Sequence, residues 1–316
     1  MKKILLFVLP FLAMVAVSCE KDGKELSGND IIEFKDPNFL KALLTVQEIY
    51  LYDAETDEEI PYMMDVDLNK DGKISVNEAQ KVKGLALYNE ETAELFNIRE
   101  IPEIKYFTAL TCLHCEGNQL TSLDLSKNTA LTYLSCDCNQ LTYLNVSKNT
   151  ALTYLACYYN QLTTLDVSKN TALTHLNCSG NQLTTLDVSK NTALTDLDCS
   201  GNQLTTLDVS KNTALTDLDC SVNQLTTLDV SGCTALTHLN CRNNQLTTLD
   251  VSGCTALTHL NCRNNQLTTL DVSGCTALTN LHCPGNQLIK LILPTHYSEY
   301  YVQDIINEYG NIIEYR

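Results

Sequence analysis

The chain has 316 residues, a formal net charge of −17 and an apolar fraction of 44%. That apolar fraction is ordinary for a folded protein and argues against global disorder, and the length suits one elongated array or two ordinary domains. An acidic chain without a basic stripe repels nucleic acid, so we exclude a nucleic-acid partner.

The first residues have the layout of a secretory signal peptide, which we assign to residues 1–18. Lys2 and Lys3 precede a 14-residue apolar run, and the small residue Ser18 precedes Cys19. The run is too short to span a bilayer as a mature helix. A small residue before a cysteine resembles the bacterial lipoprotein cleavage box, which implies that Cys19 becomes the lipidated N-terminus. The alternative is an ordinary signal peptide with an incidental cysteine.

Residues 19–35 are expected to form a tether behind that anchor. The charged stretch of residues 20–22 looks like the surface-export tags of Bacteroidetes lipoproteins, and this likeness implies an outer-membrane lipoprotein exposed on the cell surface. We expect the lipid to be the only attachment to the membrane, because no later segment is apolar and long enough to cross it.

Residues 36–84 form an acidic segment with one sharp motif, DLNKDGKISVNE at 67–78. Its oxygen-bearing residues fall at the ligand places of an EF-hand loop, and Gly72 falls where the sharp turn needs glycine. Calcium takes six to eight oxygen ligands, so the motif predicts a bound calcium ion, and a turn without an ion is the alternative. A short entering helix is expected at 60–64, with a longer apolar helix further back from Asn38 to Tyr50, and an exiting helix is expected at 79–82. The predicted ligands are Asp67, Asn69, Asp71, Ser75 and Glu78 through their side chains, and Lys73 through its carbonyl.

A 21-residue repeat dominates the rest of the chain. Nine coils begin at leucines spaced 21 residues apart, from Leu110 to Leu278, and a typical coil reads LTHLNCSGNQLTTLDVSKNTA at 173–193. The pattern L-x-x-L-x-L-x-x-N-x-L, with Cys at the third Leu place, resembles the leucine-rich repeat. It predicts a mostly β solenoid with two short extended segments per coil. We assign residues 85–109 to an N-terminal cap coil, 110–290 to the repeats and 291–316 to a C-terminal cap, with a helix expected at 297–309.

The 15 cysteines follow the repeat phase rather than a disulfide pattern. Nine are spaced 21 residues apart from Cys115 to Cys283, and Cys233, Cys254 and Cys275 form a second series. Cysteines at a fixed place in each coil are expected to be buried, reduced packing residues. In the last coils Ser-Gly-Cys replaces Ser-Lys-Asn, which indicates that Cys takes the second Asn place.

Three outward columns on the strand face vary between coils while the inward positions repeat. Read from residue 133 onward, they contain a tyrosine patch, an acidic patch and a basic patch. Stacked carboxylates are unfavourable, so a cationic partner or ion would stabilise the acidic patch, while tyrosines can stack on sugars or anchor an interface. The expected ligand-binding residues are Tyr133, Tyr154, Tyr158 and Tyr159, then Asp196, Asp198, Asp217 and Asp219, then His238, Arg242, His259 and Arg263.

Together these features resemble the leucine-rich-repeat surface lipoproteins of Bacteroidetes and, more distantly, the internalins. The resemblance implies surface exposure and binding of a protein or glycan ligand. A structural envelope protein without a specific ligand remains the alternative. We found no nucleophile elbow, zinc-protease helix or phosphate loop, so an enzyme, with a polysaccharide as substrate, is the remote alternative.

Overall fold

The computed structural model describes residues 26–45, 47–53, 58–87, 96–295 and 310–316. The signal peptide expected over residues 1–18, Cys19 and the helix expected at 297–309 lie outside these ranges. In the described part of the chain, no helix has the length and apolarity needed to cross a membrane.

The repeats stack into a solenoid whose main face is a ten-stranded parallel sheet. Each strand has three residues, because Leu and Cys must turn inward on alternate places before the chain bends away to complete its coil. Neighbouring strands within the repeats pair with a 21-residue offset, for example Leu197 with Leu218. The strands of this sheet are β3 (Gly84–Ala86), β4 (Cys112–His114), β5 (Tyr133–Ser135), β6 (Tyr154–Ala156), β7 (His175–Asn177), β8 (Asp196–Asp198), β10 (Asp217–Asp219), β12 (His238–Asn240), β13 (His259–Asn261) and β15 (Asn280–His282).

The core is one continuous column of leucines, valines and cysteines. Every cysteine of the two 21-residue series is buried and none of the described cysteines is bridged, as the phase of the repeat predicts. Cys112 is buried as well, while Cys138 is the one exposed cysteine among those described. Burial raises the pKa of the series thiols, which keeps them protonated and unreactive.

The second half of each coil is extended too, and several coils form short parallel strands there: β9 (Thr206–Asp208), β11 (Thr227–Asp229), β14 (Thr269–Asp271) and β16 (Lys290–Leu293). An aspartate column ends these segments. Asp187 accepts a hydrogen bond from the Ser189 backbone N–H at 2.9 Å, and Asp166 does the same with Ser168. The column therefore shapes the turns.

The first asparagine column ties neighbouring coils together. Asn181 donates to the carbonyls of Cys157, Cys178 and Ser179 at 3.0–3.2 Å, and its side-chain oxygen accepts from Leu162 N–H. One amide thus gives the buried Leu162 N–H its acceptor and adds a donor to three carbonyls of two neighbouring coils.

A second asparagine column stabilises the opposite turn less completely. Asn191 donates to the carbonyls of Val167 and Asn170, but its own Oδ1 is buried without a partner. Cys233 replaces asparagine in this column, and its thiol donates to the Val209 carbonyl at 3.4 Å. The swap from Asn to Cys keeps a donor and removes the unpaired acceptor, which explains why both residues fit.

The N-terminal segment differs from the sequence prediction. The helix expected from Asn38 to Tyr50 is limited to α1 (Pro37–Leu44), and the entering helix expected at 60–64 is wrong, because β1 (Gln47–Asp53) and β2 (Glu58–Met64) pair as an antiparallel hairpin. The exiting helix expected at 79–82 is also misplaced: α2 (Val76–Ala79) is a single turn that ends at Ala79. Pairing along the hairpin outweighs the weak helical pattern, which Pro61 already interrupts.

Both ends of the solenoid are covered. At the N-terminal end, β3 joins the main sheet, and Ile98, Ile104 and Phe107 are buried next to a 3₁₀ turn at Pro102–Tyr106. At the other end, β17 (Ile313–Tyr315) pairs in parallel with β16. Capping apolar coils in this way keeps the last leucines out of water.

Candidate functional site

The outward side chains of the main sheet line a shallow groove of about 490 Å³. The groove runs across seven strands, from Tyr154 on β6 to His282 on β15. The leucines at the centre of the strands lie at its floor. Its walls are the varying columns that the sequence singles out, so the acidic patch and the two histidines of the basic patch meet in one concave surface.

The tyrosine patch lies at the N-terminal end of this surface. The rings of Tyr133 and Tyr154 stack in parallel with centroids 4.3 Å apart, and those of Tyr158 and Tyr159 meet edge to face at 5.5 Å. Tyr159 is 65% exposed, which makes it available to a ligand.

Asp137 belongs to an outward column but is buried. Ser135 donates to its carboxylate at 2.6 Å, and Tyr158 also hydrogen-bonds to it. Partial burial and this carboxylate both raise the pKa of Tyr158. Some side chains of the outward columns are therefore buried in these coils, because they hydrogen-bond to one another.

The acidic patch places two pairs of aspartates side by side. Asp196 pairs in register with Asp217, and Asp198 pairs with Asp219. Two histidines flank the first pair: His175 Nε2 lies 3.3 Å from Asp196 Oδ2, and His238 Nδ1 lies 3.1 Å from Asp217 Oδ1.

Amides rather than cations satisfy much of the second aspartate pair. Asp219 accepts from the Asn240 side chain at 2.7 Å and from the Ser221 backbone, and Asp198 accepts from the Ser200 backbone. Among the ion pairs of the described residues, none joins a lysine or arginine to any of the four aspartates, so the patch keeps a negative surface.

The basic patch adjoins it on the C-terminal side. The rings of His238 and His259 stack with centroids 4.5 Å apart, and each Nδ1 lies 2.9 Å from the preceding threonine hydroxyl. Arg242 Nε is buried without a hydrogen-bond partner in the described structure, while Arg263 is exposed. The groove therefore changes from aromatic to acidic to basic along the solenoid.

A further group of polar residues, which the sequence pattern from residue 133 onward does not include, lies one coil earlier. The same three columns in the preceding coil contain Cys112, His114 and Glu116. Extending the columns by one coil would have found them, although the sequence could not show that their side chains meet.

In the predicted calcium loop, side-chain oxygen atoms accept hydrogen bonds from the backbone of the same loop. Asp67 accepts from the Asp71 and Gly72 backbones at 3.1 and 2.8 Å, and Asn69 accepts from Asp71 N–H. Gly72 has φ +78°, which only glycine adopts without strain. The turn expected of a calcium loop is present. No cluster of three or more His, Cys, Asp or Glu side chains suited to a metal was found among the described residues, and the loop itself offers amide, hydroxyl and carbonyl oxygens besides its carboxylates.

Glu78, the expected bidentate ligand, caps α2. Its carboxylate accepts from the Ser75 N–H and hydroxyl at 2.8 and 2.7 Å and from Asn69 N–H at 3.3 Å. Burial alone would raise its pKa, but these hydrogen bonds outweigh burial and the pKa lies below its usual value. Glu78 is thus an ionised carboxylate that already faces the loop.

Comparisons with known proteins agree with this architecture. A family model described as "Leucine Rich repeats (2 copies)" matches residues 171–212 and 213–254. A search of curated proteins gave no match.

Among solved structures, an internalin (inlF) from Listeria monocytogenes is 22% identical with a TM-score of 0.57, and the match covers 83% of this chain and 82% of that one. The functional domain of InlJ from Listeria monocytogenes, which includes a cysteine ladder, is 31% identical with a TM-score of 0.46, covering 85% and 68%. The plant peptide hormone receptor RGFR1 in complex with RGF2 is 25% identical with a TM-score of 0.53, covering 61% and 34%. The chain belongs to the leucine-rich-repeat proteins, a fold that commonly mediates protein binding, and internalins are among its structural neighbours.

Proposed function

We propose that this protein is a lipid-anchored cell-surface recognition protein that binds a protein or glycan ligand along the groove. The observation that carries the proposal is the groove itself: its floor repeats from coil to coil, while its walls change from tyrosine to aspartate to histidine and asparagine. The core does not require this variation, because the outward side chains do not pack in it.

The chemistry of the walls favours a ligand that spans several coils. Within each in-register pair, the two aspartates repel each other. A cationic group of the ligand would therefore be stabilised above them. Tyr154, Tyr158 and Tyr159 supply aromatic surface of the kind that anchors interfaces. The plant receptor RGFR1, which shares the fold, was solved in complex with RGF2, and this supports binding of a partner by such a solenoid.

The proposal includes two further parts from the sequence. Lipidation of Cys19 would hold the protein at the outer membrane with the solenoid exposed. Calcium would be held by Asp67, Asn69, Asp71, Ser75 and Glu78 with the Lys73 carbonyl, supplying positive charge that relieves repulsion among the carboxylates.

The test is a screen of the purified protein against glycan and protein libraries, with and without calcium, followed by two variants. One carries Tyr154→Ala and Tyr158→Ala; the other replaces all four aspartates of the acidic patch by Asn. Asn already occupies these columns at positions 177 and 280, and Asn177 accepts from Ser179 as Asp198 and Asp219 accept from the serines that follow them, so folding should be preserved.

We expect at least one variant to lose most of its binding. A matched control carries Thr164→Ala and Thr185→Ala, two exposed positions on the other face of the solenoid, and should bind like the parent. Equal binding by both test variants would place the ligand outside the groove, and the absence of any ligand would favour a purely structural role.

A further inference from the structure

The first coil of the main sheet presents a thiol, an imidazole and a carboxylate in one line. Cys112 and His114 point outward from β4, and Glu116 follows two residues later. Alternate residues of an extended chain lie on the same side, so the imidazole sits between the thiol and the carboxylate.

The contacts join the three side chains. His114 Nδ1 lies 3.3 Å from Glu116 Oε1, and the Cys112 side chain hydrogen-bonds to the same imidazole. A second carboxylate oxygen of Glu116 is buried without a partner in the described structure. The carboxylate therefore orients the ring and stabilises its protonated form, the arrangement that activates nucleophilic cysteines.

The neighbouring elements leave this group intact. On the β3 side, Gly84 and Ala86 pair with Cys112 and His114 and carry no ionisable group. On the β5 side, the Tyr133 ring lies 4.7 Å from the imidazole, and Ser135 pairs with His114. Asp137 follows in the next coil, so the electrostatic surroundings are anionic and favour a positive imidazole.

We infer that Cys112, His114 and Glu116 form a nucleophilic thiol site that exchanges with small disulfides. This goes beyond ligand binding by the groove and does not depend on it. The Cys112 sulfur attacks one sulfur of the disulfide, a protein–S–S–R bond forms, and the original S–S bond breaks. The displaced thiolate takes the imidazolium proton and leaves as a thiol, so the disulfide is the oxidant and no other reactant is needed.

Electrostatics distinguish this thiol from the other cysteines. Burial would lower the pKa of His114, but its contacts with Cys112 and Glu116 outweigh burial and raise it to about 10, so the ring is cationic at neutral pH. Its positive charge lies beside the Cys112 sulfur and stabilises negative charge there as the disulfide is attacked. Cys138 is more exposed, yet partial burial and Asp137 raise its pKa to about 11.

Access limits the substrate to small molecules. Cys112 is only 3% exposed, and the side chains of His114 and Glu116 are 14% and 23% exposed. Tyr133 pairs with Cys112, and its ring lies tilted at 34° beside the imidazole, so it is the bulky side chain next to the thiol. We therefore expect Tyr133→Ala to accelerate the exchange.

The experiment treats the native, purified protein with cystamine at neutral pH and follows each cysteine by peptide mass spectrometry. Cys112 should form the first mixed disulfide, ahead of the exposed Cys138 and of the buried series. Replacing His114 by Asn should slow modification of Cys112 about a hundredfold, the low end of what a positioned proton-transfer group contributes. Glu116→Gln should slow modification of Cys112 at neutral pH, because the imidazole loses the carboxylate that orients it.

Cys138→Ser is the matched control and should leave the rate at Cys112 unchanged. Circular dichroism of each variant checks that the solenoid is folded. If the His114→Asn variant does not fold, the Glu116→Gln variant tests the inference instead. First modification at Cys138 or in the buried series would overturn the inference, as would a Cys112 rate that is the same in both variants and the parent. Loss of exchange without loss of ligand binding would separate this site from the groove.

Discussion

Single amide side chains carry much of the cohesion between coils. The two asparagine columns look alike in sequence but differ in how many backbone groups they satisfy: Asn181 pairs with four, whereas Asn191 pairs with two and leaves its own oxygen unpaired. A buried polar group without a partner costs about 1–3 kcal/mol, so the two columns should respond differently to the same mutation.

We predict that Asn181→Ala is more destabilising than Asn191→Ala. The first change leaves the buried Leu162 N–H without its acceptor, and we expect a loss of about 2–3 kcal/mol; the second leaves both carbonyls with their backbone donors and removes an unpaired oxygen, and we expect about 1 kcal/mol. Chemical denaturation followed by circular dichroism measures both. Equal losses would show that the first column does not hold the coils as its contacts indicate.

At the scale of the element, the aspartate column on the second face determines how each segment turns. Hydrogen bonds from the backbone N–H and the hydroxyl of Ser168 lower the pKa of Asp166. Hydrogen bonds from the hydroxyl and the backbone N–H of Ser189 lower the pKa of Asp187 in the same way. Asn145 occupies the same place in an earlier coil and accepts from Ser147 N–H at 3.0 Å, so the turn does not require a charge.

This column should make the solenoid sensitive to acid. Because the folded pKa values lie below the unfolded value of about 3.9, the column contributes stability above that pH and loses it as pH falls through the folded values. The thermal midpoint of the parent should therefore drop between about pH 4 and pH 2. A variant with Asn at positions 166 and 187 keeps the acceptors and should show a smaller drop; an identical acid profile would contradict the assignment.

The predicted calcium loop has an unusual setting. A hairpin precedes it, its last residues form the single helical turn α2, and the backbone of Ile32 donates to the Ile74 carbonyl at 2.8 Å. That contact and the buried Ile74 join the loop to the core, so stabilising the loop should stabilise the N-terminal end of the solenoid.

We expect added calcium to raise the melting temperature. Ligand at a hundredfold excess over its Kd contributes about 2.7 kcal/mol to the folded state. Asp67→Ala or Glu78→Ala should abolish the increase, whereas Asp65→Ala, an exposed acid just outside the loop, should retain it. No effect of calcium on the parent protein would show that the motif is a turn without an ion.

At the scale of the whole molecule, the solenoid presents one continuous surface whose chemistry changes along its axis. A thiol, imidazole and carboxylate lie at the N-terminal end, tyrosines come next, and acidic and then basic patches follow. A ligand that contacts several coils would therefore be bound in one direction only, because reversing it would place its charges against like charges.

The proposed lipid anchor at Cys19 concerns the whole chain and can be tested separately. Cys19→Ser should release the protein from membranes without changing its fold, because the lipid is its expected attachment. A single acyl chain binds membranes only marginally, so stable anchoring requires the several chains of a lipoprotein. Membrane fractionation after a salt wash measures this, and a Ser variant that stays with the membranes would reveal a second anchor.

A 21-residue period repeats the same local environment in every coil, so the sequence alone predicts the solenoid, the inward cysteines and the asparagine columns. It predicted the calcium turn but not its flanks, where pairing of residues 47–53 with 58–64 is a tertiary contact that outweighs a weak helical pattern. Only the tertiary structure brought His175 and His238 against the aspartates and placed Cys112, His114 and Glu116 in contact. Such contacts depend on strand register and on side-chain rotamers, which a list of columns does not specify.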